Sequence, residues 1–124
     1  MLLPANLRIV PPGPDVPQEI AALSGKWAGK WGGVLAHVLV VEEIAMAPPR
    51  AVVHAVYAFG ANPPALSTPG WGRVRGLIAE GQLRLTSPGG ATVIYRMASI
   101  DTLEAFYDPQ GFRPLYARMQ RMKD

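Results

Sequence analysis

The sequence predicts an all-β domain, an eight-stranded antiparallel up-and-down β-barrel with a short N-terminal helix. Apolar or alternating runs of about five to nine residues are separated by Gly, Pro and Asp clusters, which is typical of strands joined by hairpins. No helical pattern of useful length follows residue 25, so an alternating strand–helix fold is excluded. A sheet of this size must also protect its edge strands, and closure into a barrel removes both edges.

The composition indicates one folded, turn-rich domain. The chain has 124 residues, 49% of them hydrophobic and 17% charged, with 13 glycines and 13 prolines. It has no cysteine, which excludes disulfides, thiolate metal sites and cysteine nucleophiles. The net charge of +3 comes mostly from single arginines within apolar runs. This charge is too weak to indicate a nucleic-acid partner, and we expect none.

The N-terminal segment "MLLPANLRIVPPGPDVP" predicts an extended arm. Proline removes hydrogen-bond donors and favours extended backbone before it, so residues 1–16 are assigned to the arm and residues 17–124 to the barrel. The segment lacks the basic opening and unbroken apolar run of a signal peptide. No stretch is long and apolar enough to span a membrane, and we expect a cytoplasmic protein.

The elements follow in order. "DVPQEIAALSG" predicts a single short helix, with Asp15 as its cap, Pro17 in its first turn and Gly25 at its exit. Eight strands are predicted after it: 26–31, 36–44, 50–59, 71–79, 82–87, 91–97, 102–107 and 112–120.

Turn chemistry sets the register of the later hairpins. A two-residue turn at Glu80-Gly81 and three-residue loops at 88–90 and 99–101 separate an apolar face from a polar one. The apolar, inner face contains Val74, Ile78, Leu83, Leu85, Val93, Tyr95, Met97, Leu103, Ala105 and Tyr107. The outer face contains Arg73, Arg75, Arg84 and an Arg96–Glu104 pair. This arginine stripe is interpreted as solvated, because the exposed aromatic residues of an RNA-binding face are missing. A type I turn at 108–111 then directs Phe112, Tyr116 and Arg118 inward.

Two strands, 36–44 and 50–59, are apolar on both faces. Either the proline-rich arm covers their outer side, or two copies of the chain meet there. The second explanation is favoured, and it predicts a homodimer through these strands.

The stretch "SGKWAGKWGG" (residues 24–33) follows the predicted helix with Gly25-x-Trp27 and a doubled "WxGxW". Over about residues 17–124 the chain resembles the lipocalins and the wider calycin group, in particular small bacterial lipocalin-like domains. The resemblance implies that Trp27 plugs the closed end of the barrel beneath the helix, close to Gly25. It also implies an arginine packed across this tryptophan near the end of the last strand. Arg118 is the best match, and Arg121 replaces it if that strand slips.

Trp31 is expected at the opposite, open end, about 13 Å from Trp27 along an extended strand. The long connection 60–70 is a candidate lid over this end. The candidate ligand-binding residues of the mouth and interior are Trp31, His54, Phe59, Trp71, Leu83, Leu85, Tyr95, Tyr107, Phe112 and Tyr116. Ordinary core packing at a loop-rich end is an equally good explanation.

Sequence patterns for catalysis are missing. There are only two histidines, and neither belongs to an HxH or HExxH motif, so no metal site is expected. His54 is a candidate for haem binding or proton transfer, but an ordinary strand position is favoured. Nitrobindin-like haem barrels use a late histidine, and no histidine follows residue 54. No serine lies in a GxSxG motif, and Glu42 and Glu43 should point to opposite faces.

We therefore expect a protein without enzymatic activity and without a cofactor, which binds a small hydrophobic or amphipathic molecule inside the barrel. The alternative is a structural or interaction module, monomeric or dimeric, whose barrel is filled by its own side chains. An enzyme that acts on the bound ligand is a third, more distant interpretation.

Overall fold

The computed structural model describes residues 2–60, 68–109 and 113–122 and confirms the predicted fold class. Eight antiparallel strands follow one another in chain order and close into a barrel. The elements are α1 (Gln18–Ala21), β1 (Gly25–Trp31), β2 (Leu35–Ala47), β3 (Arg50–Phe59), β4 (Gly70–Ala79), β5 (Gln82–Thr86), β6 (Thr92–Ser99), β7 (Thr102–Asp108) and β8 (Leu115–Arg121). Among the described residues, no helix is long and apolar enough to cross a membrane.

The register from β4 to β7 is the one that turn chemistry predicts. Ala79 pairs with Gln82 around Glu80 and Gly81, which both have positive φ as a two-residue hairpin turn requires. Farther along, Arg96 pairs with Glu104 across β6 and β7, and their side chains form an ion pair of 3.0 Å. The predicted inner face is therefore confirmed through these strands.

The register prediction for β8 is wrong. Tyr107 pairs with Leu115, whereas the predicted turn would pair it with Phe112. The difference of three residues is odd, so every side chain of β8 changes face. Ala117 and Met119 point inward, while Tyr116 and Arg118 are exposed on the outer surface. Phe112 itself lies outside the described residues.

The closed end of the barrel consists of α1, Leu23, Trp27 and Arg121. Trp27 is fully buried, and its Nε1 donates a hydrogen bond to the Leu23 carbonyl at 3.0 Å. The Arg121 guanidinium lies 4.1 Å from the centre of the indole ring. The expectation that Arg118 fills this role is wrong, because the shifted register turns Arg118 to solvent and brings Arg121 to the tryptophan.

Gly25 begins β1 with φ +111°, a backbone conformation that side chains with a Cβ rarely adopt. A Cβ at this position would lie 3.5 Å from Arg121 Nη1, an ordinary contact. Backbone conformation, and not crowding, therefore requires glycine at the step from α1 into β1. The helix is short, as predicted, with four residues, but the expectation that Asp15 caps it is wrong, because Pro17 holds the N-cap position and no side chain caps the helix.

The N-terminal arm covers the outer face of β2 and β3. Its Leu3, Leu7 and Ile9 pack on an outer apolar cluster formed by Val38, Val40, Val56 and Ala58. The arm is thus the cover for the strands that are apolar on both faces. The argument for a homodimer through these strands depended on an uncovered outer face, and that premise is wrong.

Polar contacts attach the same arm to a bulge in β2. The pairing of β2 with β3 shifts between Val41 and Glu43, which leaves Glu42 as an extra residue. The Glu42 carboxylate accepts a hydrogen bond from the Arg8 backbone N–H at 2.9 Å and pairs with Arg73 at 3.1 Å. Burial raises the pKa of Glu42, but the hydrogen bonds from Arg73 and Arg8 and the nearby positive charges outweigh it and hold the pKa below its usual value.

The arm supplies a direct test of its structural role. We expect Leu7→Asp to lower the free energy of unfolding by about 1–2 kcal/mol, because it places a carboxylate against the outer apolar cluster. Leu2→Asp is the matched control, since Leu2 is 54% exposed in the same arm and should change stability by less than about 0.5 kcal/mol. Urea denaturation followed by circular dichroism measures both. Equal effects of the two variants would contradict a specific packing role for Leu7.

Candidate functional site

A cavity of about 350 Å³ opens at the end of the barrel opposite Trp27. We call it the mouth cavity. It is lined by Trp31, Leu35, Tyr57, Phe59, Ser87, Pro88, Gly89, Tyr107 and Leu115. These residues come from the ends of β1 and β3, the starts of β2 and β8, the end of β7 and the loop between β5 and β6. The volume lies near the lower limit of small-molecule sites, about 300–1,000 Å³.

Three of the residues predicted for the mouth line this cavity: Trp31, Phe59 and Tyr107. Leu83, Leu85 and Tyr95 also point into the barrel, but they are buried in the core and do not line the cavity. The lower barrel is filled by side chains such as Leu39, Leu103 and Met119. The interior is therefore neither fully open nor fully filled.

Three further candidates lie on the outside, and their assignment to the interior is wrong. His54 is exposed on β3 between the inward-facing Val53 and Ala55. Trp71 is 42% exposed, and the Arg73 guanidinium lies 5.7 Å from its ring. Trp71 pairs with the outward-facing Ala58 and therefore shares its side of the sheet. Tyr116 points outward because β8 is shifted by three residues from its predicted register.

Sequence reasoning missed His37, a buried histidine that packs against Trp31 and Tyr57, two of the residues that line the cavity. Its ring is fully buried, with Nδ1 2.7 Å from the Ala58 carbonyl and Nε2 2.7 Å from the Tyr95 hydroxyl. A carbonyl can only accept, so Nδ1 must carry the proton and Nε2 must accept from the hydroxyl. Burial lowers the pKa of His37 to about 4, although the hydrogen bond to Ala58 acts in the opposite direction. The imidazole is neutral, and both of its nitrogens are occupied.

Aromatic rings connect this histidine to the cavity. Trp31 stacks on His37 with a centroid distance of 4.9 Å, and Tyr57 lies against the same imidazole at 4.3 Å. Tyr107 contacts Trp31 at 5.4 Å, and Phe59 contacts Tyr57 at 6.4 Å. The four aromatic residues of the lining and His37 are thus a continuous group of packed rings, which should hold its shape with little reorganisation.

The polar groups of this cluster are uncharged at neutral pH. Burial raises the pKa of the Tyr57 hydroxyl far above its usual value, and Tyr107 adds to the effect. The Trp31 indole N–H lowers this pKa in part. Trp31 Nε1 is nevertheless a buried donor without a hydrogen bond of acceptable geometry to any described residue. None of the described residues that line the cavity is a carboxylate, a lysine or an arginine.

The signal for His37 is present in the sequence. His37 is two residues before Leu39 and four before Val41, so alternation along β2 places all three side chains on the inner face. Its hydrogen-bond partner Tyr95 is 58 residues away in the sequence, so the pattern does not predict their contact. Among the described residues, no three His, Asp or Glu side chains are grouped as a metal site would require.

Comparison with protein-family models gives no match, and a search of curated proteins finds no relative.

Proposed function

We propose that this chain binds a small, predominantly apolar molecule in the mouth cavity and does not change it chemically. The supporting observation is the mouth cavity itself, an apolar space of about 350 Å³ lined by packed aromatic rings. A preformed concave site with few polar groups is the usual form of a small-molecule site. The ligand should be flat or compact and uncharged where it contacts the rings. The likeness to lipocalins, based on Gly25-x-Trp27 and the closed barrel, agrees with this proposal.

The absence of catalysis is proposed on the chemistry of the cavity lining and of His37, which packs against it. A general base needs a free lone pair with a pKa near the working pH. The His37 Nε2 lone pair accepts from Tyr95, and its pKa of about 4 keeps the ring from taking up a proton at neutral pH. The hydroxyl of Ser87 has no histidine beside it among its described contacts and instead accepts the backbone N–H of Ala91. None of these groups is arranged as a nucleophile with its base.

A second candidate function is a structural module with a filled barrel. The packed lower barrel favours it, because Leu39, Leu83 and Leu103 are fully buried there. The two proposals differ in what the mouth cavity holds. Native mass spectrometry of the purified protein and displacement of the neutral dye N-phenyl-1-naphthylamine separate them. With neither a bound molecule nor dye uptake, the binding proposal fails and the structural one remains.

Filling the cavity gives a sharper test. We expect Leu35→Trp to weaken dye binding roughly tenfold or more, because Leu35 lines the mouth cavity and a larger side chain occupies its space. Val34→Trp is the matched control, since Val34 is 78% exposed and adds the same side chain outside the cavity. Fluorescence titration of the dye gives both affinities. If Val34→Trp weakens binding as much as Leu35→Trp does, the dye binds elsewhere.

A further inference from the structure

Five side chains, two of them exposed aromatic rings, form a row on the outer surface, on the opposite side of the sheet from the cavity. Cross-strand pairing places Leu77, Arg84, Ile94, Phe106 and Tyr116 next to one another from β4 to β8. We call this the aromatic row. Phe106 is 37% and Tyr116 42% exposed, and their rings meet at 5.4 Å. The arginine stripe therefore does contain exposed aromatic residues, contrary to the sequence-based interpretation.

A second row of charged residues runs beside the aromatic row. It consists of Arg96, Glu104 and Arg118 in cross-strand order. Glu104 is already engaged, because it pairs with Arg96 and accepts a hydrogen bond from the Tyr116 hydroxyl at 3.2 Å. The Arg96 guanidinium also lies 5.4 Å from the Phe106 ring centre. Within the described residues, Arg118 forms no ion pair.

The two rows end at a groove where β8 meets β1. Lys30, Tyr116, Arg118 and the small residues Ala28 and Gly29 line this seam groove. Ala28 pairs with Gln120, and the Gly32 N–H donates to the Tyr116 carbonyl, so the same register places Lys30 opposite Arg118. Like charges directly across a sheet repel each other. A bound anion would relieve this repulsion.

We propose that the aromatic row and the seam groove bind single-stranded nucleic acid. The Tyr116 ring and the Arg96 guanidinium stacked near the Phe106 ring offer flat surfaces on which bases can stack. The phosphates would be bound by the positive charges around these surfaces, those of Lys30, Arg84 and Arg118. Base faces remain accessible only in a single strand, which favours it over a duplex. From β5 to β8 the row spans about 14 Å, enough for a few nucleotides. This proposal is independent of the mouth cavity.

Fluorescence anisotropy with labelled 12-residue oligo(U) and oligo(dT) tests the proposal on the full chain. We expect binding at low salt that weakens with salt at a log–log slope of roughly −2, as contacts with about three phosphates predict. Arg118→Glu should weaken binding at least tenfold. Its matched control is Arg50→Glu, which makes the same charge change at an exposed site at the start of β3 and should cost less than about threefold.

Variants of Tyr116 test the contribution of its aromatic ring to binding, separately from that of the Arg118 charge. Tyr116→Ala should weaken binding roughly fivefold to tenfold, while Tyr116→Phe keeps the ring and should bind like the wild type. Tyr116 and Arg118 are both exposed, and thermal unfolding verifies that the variants are folded. The proposal is overturned if oligonucleotides do not bind at low salt, or if Arg50→Glu and Arg118→Glu weaken binding equally. It is also overturned if Tyr116→Ala has no effect and heparin, a polyanion without bases, competes as well as oligo(U).

Discussion

Arg121→Ala should lower the free energy of unfolding by about 2–4 kcal/mol. Its guanidinium donates hydrogen bonds to the carbonyls of Ala22, Ser24 and Ile100 at 2.6–2.9 Å and lies over the Trp27 ring. The side chain therefore connects the end of α1, the β6–β7 turn and the indole plug at once. Its loss removes several charge-assisted hydrogen bonds and a cation–π contact, which accounts for the expected magnitude.

Arg118→Ala is the matched control, since it removes the same side chain three residues earlier on the same strand. Arg118 is exposed and turned outward, so its replacement should change stability by less than about 0.5 kcal/mol. Chemical denaturation of both variants gives the comparison. Dye binding in the mouth cavity should be unchanged in folded Arg121→Ala, because the closed end lies at the other end of the barrel. Equal stability of the two variants would contradict the assignment of Arg121 as the arginine over Trp27.

Acidification should destabilise the protein through His37. The pKa of its imidazole is about 4 in the folded protein and about 6.5 in an exposed histidine. Between these values the unfolded chain binds a proton that the folded chain excludes, so the free energy of unfolding falls as pH falls from about 6.5 towards 4. The stabilisation is fully present above pH 6.5, and its complete loss amounts to about 3 kcal/mol.

His37→Phe should remove most of this pH dependence while lowering stability at neutral pH, because the Tyr95 hydroxyl loses its acceptor. His54→Gln is the control and should keep the wild-type slope, since His54 is exposed. The slope is best measured between about pH 5.5 and 6.5, because carboxylates of the unfolded chain take up protons below this range and Glu42 then adds to the loss of stability. A His37 imidazole that titrates near 6.5 by nuclear magnetic resonance would contradict the prediction.

The barrel and most of its register follow from local signals. Gly81 between two alternating runs indicates the two-residue turn at Glu80-Gly81, where both residues have positive φ, and the inner face from β4 to β7 follows from this turn. At the β7–β8 connection the local signal, a type I turn at 108–111, predicts too short a connection, because Tyr107 pairs with Leu115. The pairing of β8 is shifted by three residues from the predicted register, and an odd shift exchanges the inner and outer faces of the strand. Tyr116 and Arg118 therefore point outward, and Arg121 lies over Trp27.

The candidate site was only partly predictable for a related reason. Trp31, Phe59 and Tyr107 follow from their positions at strand ends. The environment of His37 depends on Tyr95 and on the Ala58 carbonyl, which the fold brings together from distant strands. Likewise, the apolar outer face of β2 and β3 indicates that a cover is needed, but the pattern does not distinguish the arm from a second copy.

The three tryptophans of the chain lie in three separate environments. Trp27 is sealed at the closed end, Trp31 belongs to the mouth cavity, and Trp71 is 42% exposed on the outer surface. Their indole emission should therefore differ in wavelength and in accessibility to a water-soluble quencher such as iodide. Variants that retain one tryptophan at a time would therefore report on three regions separately. Fluorescence of Trp27 would follow the packing of the closed end, that of Trp31 the occupancy of the mouth cavity, and that of Trp71 contacts at the outer surface.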